Sequence, residues 1–208
     1  LSSWDTSSVT NMYDTFYGAS AFNGDLSSWD TSSVKTMWDT FKSASAFNGN
    51  VSSWDTSSVT NMEGIFYRAS AFNGNVSSWD TSSVTKMEGI FYQASAFNGD
   101  LSSWNISRVE TVSNAFDTTT ALTDCTKRSI YDSWDSQIDG VMDTDYADWS
   151  SVYCQYCRVN EYVSVDQCES CAPGTTNEAG DDSEGGVNTT CDVTYCAEDY
   201  YVSDNVCV

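Results

Sequence analysis

A 25-residue repeat runs five times through the first 125 residues of the chain. The first copy is LSSWDTSSVTNMYDTFYGASAFNGD, and the copies begin at Leu1, Leu26, Val51, Val76 and Leu101. A fixed period of this length is typical of solenoids, in which each unit buries its apolar side chains only against its neighbours. The sequence therefore predicts a repeat solenoid over residues 1–125.

Some positions of the repeat keep one residue type, whereas others change from copy to copy. The constant apolar positions predict rows of side chains in a shared interior, which start at Trp4, Val9, Met12, Phe16 and Phe22. The positions of Tyr13 and Gly18 drift, so we predict that they face solvent.

Local patterns predict the elements of each turn. One short strand is expected at D-L-S-S-W, where Leu26 and Trp29 flank two small serines, directly after a tight turn at Asn-Gly. The spacing of Met12, Phe16 and Ala19 favours one or two helical turns over residues 11–21.

The motifs of the repeat resemble a known family. The string S-W-D-T-S-S-V-T-N-M, followed by F, A and F-N-G-D-L-S-S-W, is similar to the BspA-like leucine-rich repeat of surface lipoproteins in bacteria, algae and protists. The resemblance covers residues 1–125. It implies a right-handed, leucine-rich-repeat-like parallel-β solenoid with short helical turns, displayed outside the cell and often linked with adhesion. It does not imply a catalytic site.

Residues 126–154 leave the 25-residue period but remain rich in apolar side chains, which predicts a cap over the last turn. Ile130, Trp134 and Ile138 have helical spacing. Cys125 stands where other repeats have Asp or Asn, and a Cys125–Cys154 disulfide would attach the cap to the last turn.

Residues 155–208 form a small disulfide-rich module with a second period, of 39 residues. All eight cysteines of the chain lie between Cys125 and Cys207, which is typical of a disulfide framework in an oxidising compartment. The remaining predicted pairs are Cys157–Cys168, Cys171–Cys191 and Cys196–Cys207. This segment resembles cysteine-rich growth-factor-receptor-like and EGF-like repeats of secreted algal and protist proteins. Since the second period is cut short, we expect the native chain to continue beyond it.

The charge of the chain disfavours one class of function. Thirty acidic residues against eight basic ones give a net charge of −22, whereas phosphate binding needs clustered Lys and Arg. Such a surface repels nucleic acids and anionic membranes and attracts basic partners or divalent cations, so nucleic-acid binding is the least favoured function and no nucleic-acid partner is predicted. No apolar run approaches the ~20 residues that span a bilayer, so no membrane span is predicted.

The inventory of side chains is poor in catalytic groups. Without histidine, neither a Ser–His nor a Cys–His pair can form, although a carboxylate pair of the glycosidase type stays open. We predict that the chain is not an enzyme and carries no cofactor.

One row of acidic residues suggests a metal-ion alternative. Asp followed by Thr-Ser-Ser is typical of an Asx turn, in which the carboxylate accepts backbone hydrogen bonds. Stacked carboxylates repel one another, and calcium would relieve that repulsion. The residues of this calcium hypothesis are Asp5, Asp30, Asp55 and Asp80. A parallel row of asparagines, starting at Asn23, predicts a buried ladder of amides between turns.

Four N-x-S/T motifs are candidate glycosylation sites, at Asn50, Asn75, Asn105 and Asn188. Together these features predict an extracellular structural or adhesive module of a larger cell-surface or fibre-forming protein. Its partners would be other copies, other surface proteins or glycans. The alternatives are a calcium- or glycan-binding recognition module and, last, an enzyme.

Overall fold

The structure, a computed structural model, describes residues 1, 3–143 and 145–151, and beyond them only the backbone of six short strands. The chain divides into two compact units, Leu1–Ser151 and Val152–Val208, and each is described here by itself. The boundaries predicted at 125 and 154 stay predictions.

The repeats stack with equivalent residues above one another. The tryptophan rings of successive turns lie 6.3 Å apart with nearly parallel planes, from Trp29 to Trp54 to Trp79 to Trp104. Phenylalanine rows stack in the same way, with Phe41 and Phe66 centred 5.6 Å apart. A constant residue every 25 positions therefore meets its own copy in the next turn.

The predicted interior rows are confirmed. In the second turn Val34, Met37 and Phe41 are 0% exposed, and Trp54 in the third turn is 3% exposed. Trp4 is 60% exposed because the first turn lies at the end of the stack.

The prediction of a β-rich, right-handed leucine-rich-repeat solenoid with helical turns is wrong. Among the described residues up to 123 no segment is a β-strand or an α-helix, and the only β pairing there is three isolated parallel bridges, Asn11–Thr36, Thr36–Asn61 and Asn61–Lys86. The expected strand around Leu26 is a turn, in which the Trp29 N–H donates to the Leu26 carbonyl at 3.1 Å.

The expected helix over residues 11–21 is also absent, and its backbone gives the reason. Asp14 and Gly18 have positive φ angles of 53° and 69°, and the same two positions are left-handed in every later turn. A left-handed residue every fourth position interrupts a right-handed helix. The apolar residues Met12, Phe16 and Ala19 therefore have the sequence spacing of a helix, but the backbone that carries them is a series of consecutive tight turns.

Alternate N–H groups of this segment bond to the next turn instead of forming a helix or sheet. The donors are the N–H groups of Met12, Asp14, Phe16 and Gly18, and the acceptors are the carbonyls of Thr36, Trp38, Thr40 and Lys42, at 2.9, 3.2, 2.8 and 2.8 Å. The residues between them bond within their own turn, as Tyr17 N–H does to the Asp14 carbonyl at 3.1 Å. Because only every second residue reaches across, the pairing never becomes a continuous strand.

Buried polar side chains add further bonds between turns. The Trp54 indole N–H donates to the Leu26 carbonyl at 3.1 Å, and Trp79 repeats this bond to Val51 at 3.0 Å. Thr31, 2% exposed, donates its hydroxyl to the Asp55 carbonyl at 3.0 Å. The indole bonds give a second donor to carbonyls that already accept a backbone N–H of their own turn, as Leu26 does from Trp29.

The cap begins with helix α1, Asp124–Gln137, which confirms the helical spacing predicted there. Thr123 is its N-cap and accepts a bond from the Thr126 N–H at 3.2 Å. Ile130 and Trp134 face the last turn and are 0% exposed, whereas Ile138 is the C-cap residue.

A 3-10 helix, Ala147–Ser151, completes the cover of the last turn. Tyr146, just before it, packs edge-on against Phe116, and its hydroxyl accepts a bond from the Phe116 N–H at 2.8 Å. In other turns the equivalent N–H bonds to a following turn. Burial raises the pKa of Tyr146, which keeps the phenol neutral.

Beyond Ser151 the described backbone consists of three antiparallel strand pairs. These strands are β1 Glu161–Ser164, β2 Gln167–Ser170, β3 Thr175–Thr176, β4 Asp192–Val193, β5 Val202–Ser203 and β6 Val206–Cys207. They pair as β1–β2, β3–β4 and β5–β6.

Cys125 is 2% exposed and disulfide-bonded. Its predicted partner Cys154 and the side chains of the six later cysteines lie outside the described residues, so the pairing scheme stays a prediction.

Candidate binding groove

Three of the positions that change between repeats lie together at the surface of the stack. A groove of about 300 Å³ opens there, and every residue that lines it occupies the 13th, 14th or 17th position of its turn. The lining residues are Asp39, Lys42, Glu63, Gly64, Tyr67, Glu88, Gly89, Tyr92 and Asn114. We call this set the variable groove.

A second, smaller recess of about 190 Å³ adjoins the variable groove. Its lining residues are Glu63, Thr85, Lys86, Glu88, Glu110 and Thr111, at positions 10, 11 and 13 of their turns. Glu63 and Glu88 belong to both linings and therefore form a carboxylate ridge between the two recesses.

The change from aspartate to glycine at the 14th position opens the variable groove. Asp39 and Gly64 both have left-handed backbones, with φ of 52° and 60°. A Cβ atom at Gly64 would lie 2.1 Å from Asp39 Oδ1, so the carboxylate of Asp39 occupies the space that a side chain at this position would need. As a result Asp39 is only 7% exposed.

Asp39 is paired with a lysine at one end of the groove. Lys42 Nζ lies 2.9 Å from Asp39 Oδ2 and 4.8 Å from the centre of the Tyr67 ring. Burial raises the pKa of Asp39 and outweighs the opposing effect of Lys42. The hydrogen bond to Asp39 raises the pKa of Lys42, which stays protonated.

The rest of the groove is acidic. Burial, followed by the like charges of Glu88 and Asp39, raises the pKa of Glu63, while Lys86 and Lys42 oppose that rise. Among the nine lining residues, three carboxylates stand against the single ammonium of Lys42. Ionised Glu63 is therefore in an environment that disfavours its charge, and an added cation would relieve it.

Two stacked tyrosines form the aromatic wall. The rings of Tyr67 and Tyr92 lie 4.5 Å apart at an angle of 16°, and both side chains are partly exposed. Arg68 lies beside this wall, 5.4 Å from the Tyr67 ring, and its Nε donates to Gln93 Oε1 at 2.9 Å. The groove thus combines carboxylates with partly exposed tyrosine rings.

The four aspartates of the calcium hypothesis form Asx turns at the surface. The Ser7 N–H and hydroxyl donate to Asp5 Oδ1 at 3.1 and 2.6 Å, which is the predicted Asx turn, and Asp30, Asp55 and Asp80 repeat it with Ser32, Ser57 and Ser82. The serine bonds lower the pKa of Asp30 and outweigh the repulsion by Asp5. Among the described residues no three acidic, Cys or His groups are placed to hold a metal ion. Calcium binding stays a prediction.

The asparagine row bonds between turns as predicted, but its burial was predicted wrongly. Asn23 Oδ1 accepts the Asn48 N–H at 2.8 Å, and Asn48 Oδ1 accepts the Asn73 N–H at 2.9 Å, while all three residues are exposed. The amides accept backbone N–H groups at the surface rather than satisfying buried carbonyls.

Three of the four candidate glycosylation residues are exposed, namely Asn50, Asn75 and Asn105. Each uses its Oδ1 in an Asx turn, as Asn50 does with the Ser52 N–H at 3.0 Å. Asn188 lies outside the described residues. Glycosylation stays a prediction at all four.

The groove itself was not identified from the sequence, although a signal was present. The drift at positions 13 and 18 predicts only that these side chains face solvent. The paired change at positions 14 and 15, from Asp39-Thr40 to Gly64-Ile65, marks where the groove opens. The 14th residue of every turn has a left-handed backbone. A change of this residue to glycine is the sequence signal that indicates the groove.

Comparisons with known proteins identify the family of the repeats and cap. No helix in the described part of the chain is long and apolar enough to cross a membrane. Neither the curated proteins nor the solved structures contain a match to the chain. A family model described as "Mycoplasma protein of unknown function, DUF285" matches residues 1–78 and 49–148, and this family is associated with BspA-like repeat surface proteins. The matches span the five repeats and most of the cap, and the chain belongs to this DUF285 family.

Proposed function

We propose that residues 1–151 form a non-enzymatic, extracellular adhesive module of a larger cell-surface or fibre-forming protein, and that the module binds a protein or glycan partner in the variable groove. The repeats supply a rigid scaffold, because every turn is bonded to the next through its backbone and through stacked rings. The cysteine-rich segment after the cap fits an oxidising compartment outside the cell.

One observation carries the proposal. The interior of the repeats is nearly constant, whereas all nine residues that line the variable groove lie at positions that differ between turns. A scaffold needs constant packing, but recognition needs a local departure from the repeat symmetry. Binding residues are typically side chains held at the surface of such a rigid frame.

The proposal is tested by presenting the full chain to arrays of cell-surface proteins and glycans. Partners that bind the wild type should bind the double variant Tyr67→Ala/Tyr92→Ala at least tenfold more weakly, because its aromatic wall is removed. The matched control is Tyr17→Ala, at the same repeat position but outside the groove. Equal binding by wild type and double variant would contradict the proposal, and so would an equal loss in the control.

A further inference from the structure

The variable groove contains an internal example of how it accommodates a cation. Lys42 places its ammonium between the carboxylate of Asp39 at 2.9 Å and the face of Tyr67 at 4.8 Å. A carboxylate on one side and a tyrosine ring on the other is a favourable site for a protonated amine or guanidinium. At this end of the groove the chain supplies the cation itself.

The next two turns repeat the acidic and aromatic parts without that lysine. The position of Lys42 is taken by Tyr67 and then by Tyr92, which stack 4.5 Å apart, while Glu63 and Glu88 line the same groove. Lys86 lies in the adjoining recess rather than in the variable groove. Lys42 and Arg68 lie over the Tyr67 ring, whereas no lysine or arginine of the described residues lies over the ring of Tyr92. The Glu88 and Tyr92 end of the groove therefore offers a carboxylate and an aromatic ring to an added cation.

Charge complementarity identifies the occupant. We propose that the variable groove receives a lysine or arginine side chain from a basic segment of a partner protein, held between the Glu63–Glu88 ridge and the Tyr67–Tyr92 wall. This inference rests on the proposed function and names the chemistry of the ligand.

The volume of the groove and the negative charge around it agree with a lysine or arginine side chain as the occupant. At about 300 Å³ it is at the small end of ligand sites, which suits one or two side chains of an extended segment. The burial and like charges that raise the pKa of Glu63 would both be compensated by a bound cation. The net charge of −22 would in addition accelerate the encounter with a basic segment.

A peptide-binding experiment tests the inference. The probe is a fluorescent peptide in which lysine and arginine alternate with glycine and serine. Its neutral counterpart carries acetyl-lysine and citrulline. Binding to the full chain is measured by anisotropy at low and physiological ionic strength. We expect the basic peptide to bind and the neutral one to bind at least tenfold more weakly.

The variants separate the groove from general charge attraction. Glu63→Gln/Glu88→Gln should weaken binding of the basic peptide at least tenfold. The control Asp55→Asn/Asp80→Asn removes the same number of charges at surface turns, where Asn105 already serves in place of aspartate. It should change binding by less than about twofold. Melting of each variant verifies that it is folded.

Two results would overturn the inference. Equal weakening by the two double variants, or no binding of the basic peptide, would show that the groove does not select a cation. If a neutral glycan then bound and lost affinity in Tyr67→Ala/Tyr92→Ala alone, the proposed adhesive function would stand while the cationic ligand would be refuted.

Discussion

Trp134 stacks on Trp104 at 6.3 Å, the distance that separates the tryptophans of neighbouring repeats, although it belongs to a helix and lies 30 rather than 25 residues further along. Its indole N–H also donates to the Leu101 carbonyl at 3.1 Å, as Trp104 does to Val76 at 3.0 Å. The cap therefore reproduces the contacts of a further turn with a different backbone.

This relationship predicts the consequence of removing the ring. Trp134→Ala should lower the free energy of unfolding of the unit Leu1–Ser151 by about 3–5 kcal/mol, because a buried ring is lost and a cavity remains. The measurement is urea denaturation followed by tryptophan fluorescence. A loss below about 1 kcal/mol would mean that the helix does not act as a substitute turn.

A matched pair within the repeats tests the assignment of the interior. Trp54→Ala should cost about 3–5 kcal/mol because its ring is 3% exposed between Trp29 and Trp79. Trp4→Ala, at the same repeat position but 60% exposed, should cost less than about 1 kcal/mol. Similar losses in the two variants would contradict the packing described for the stack.

Substitution by alanine should lower the stability by different amounts at the two glycines of the 14th position. Gly64 and Gly89 share a φ of 60°, so alanine costs about 1–2 kcal/mol at either site through the left-handed backbone alone. Gly64→Ala should cost more, since its Cβ would displace Asp39 Oδ1, whereas the nearest atom to a Cβ at Gly89 is in Tyr67 at 3.4 Å. Thermal melting of both variants measures the difference. Gly89→Asn is the control, because Asn114 adopts this backbone with φ of 54°.

The interior could be predicted from the sequence because every apolar row meets its own copy in the next turn. The backbone could not, because spacing alone does not distinguish a helix from consecutive turns with left-handed residues at Asp14 and Gly18. The Asx turns were predictable from local chemistry. For the variable groove the sequence carries only the change to glycine at position 14, since the groove itself depends on the carboxylate of Asp39 lying over Gly64 of the next turn.

Stability should depend on pH through Glu63. Its folded pKa is raised above the ordinary value of 4.5, so ionisation is harder in the folded than in the unfolded chain, and stability falls as pH rises through that range. Glu63→Gln should therefore be more stable than wild type above about pH 5, by less than about 1 kcal/mol for a partly exposed group, and should lose this advantage near pH 3. Melting curves between pH 3 and 8 measure the difference, and an advantage that grows on acidification would contradict the sign.

The stability that comes from the Asx-turn aspartates should depend on pH in the opposite direction. Serine hydrogen bonds lower the pKa of Asp30 below 3.8, so its contribution to stability is present above that pH and is lost on further acidification. Asp30→Asn should keep the turn, as Asn105 does, but remove this part of the acid dependence. Asp30→Ala should lower the melting temperature at every pH. If both variants melted alike at pH 7, the turn would not depend on this acceptor.

The central claim is that a partner binds in the variable groove, and a footprint of the bound partner tests it most directly. Hydrogen–deuterium exchange would be measured on the full chain, free and saturated with a partner recovered from the arrays. We expect added protection in residues 63–67 and 88–92 and none in the surface turns at residues 55–57 and 80–82. Protection confined to those surface turns, with residues 63–67 and 88–92 unchanged, would contradict the account.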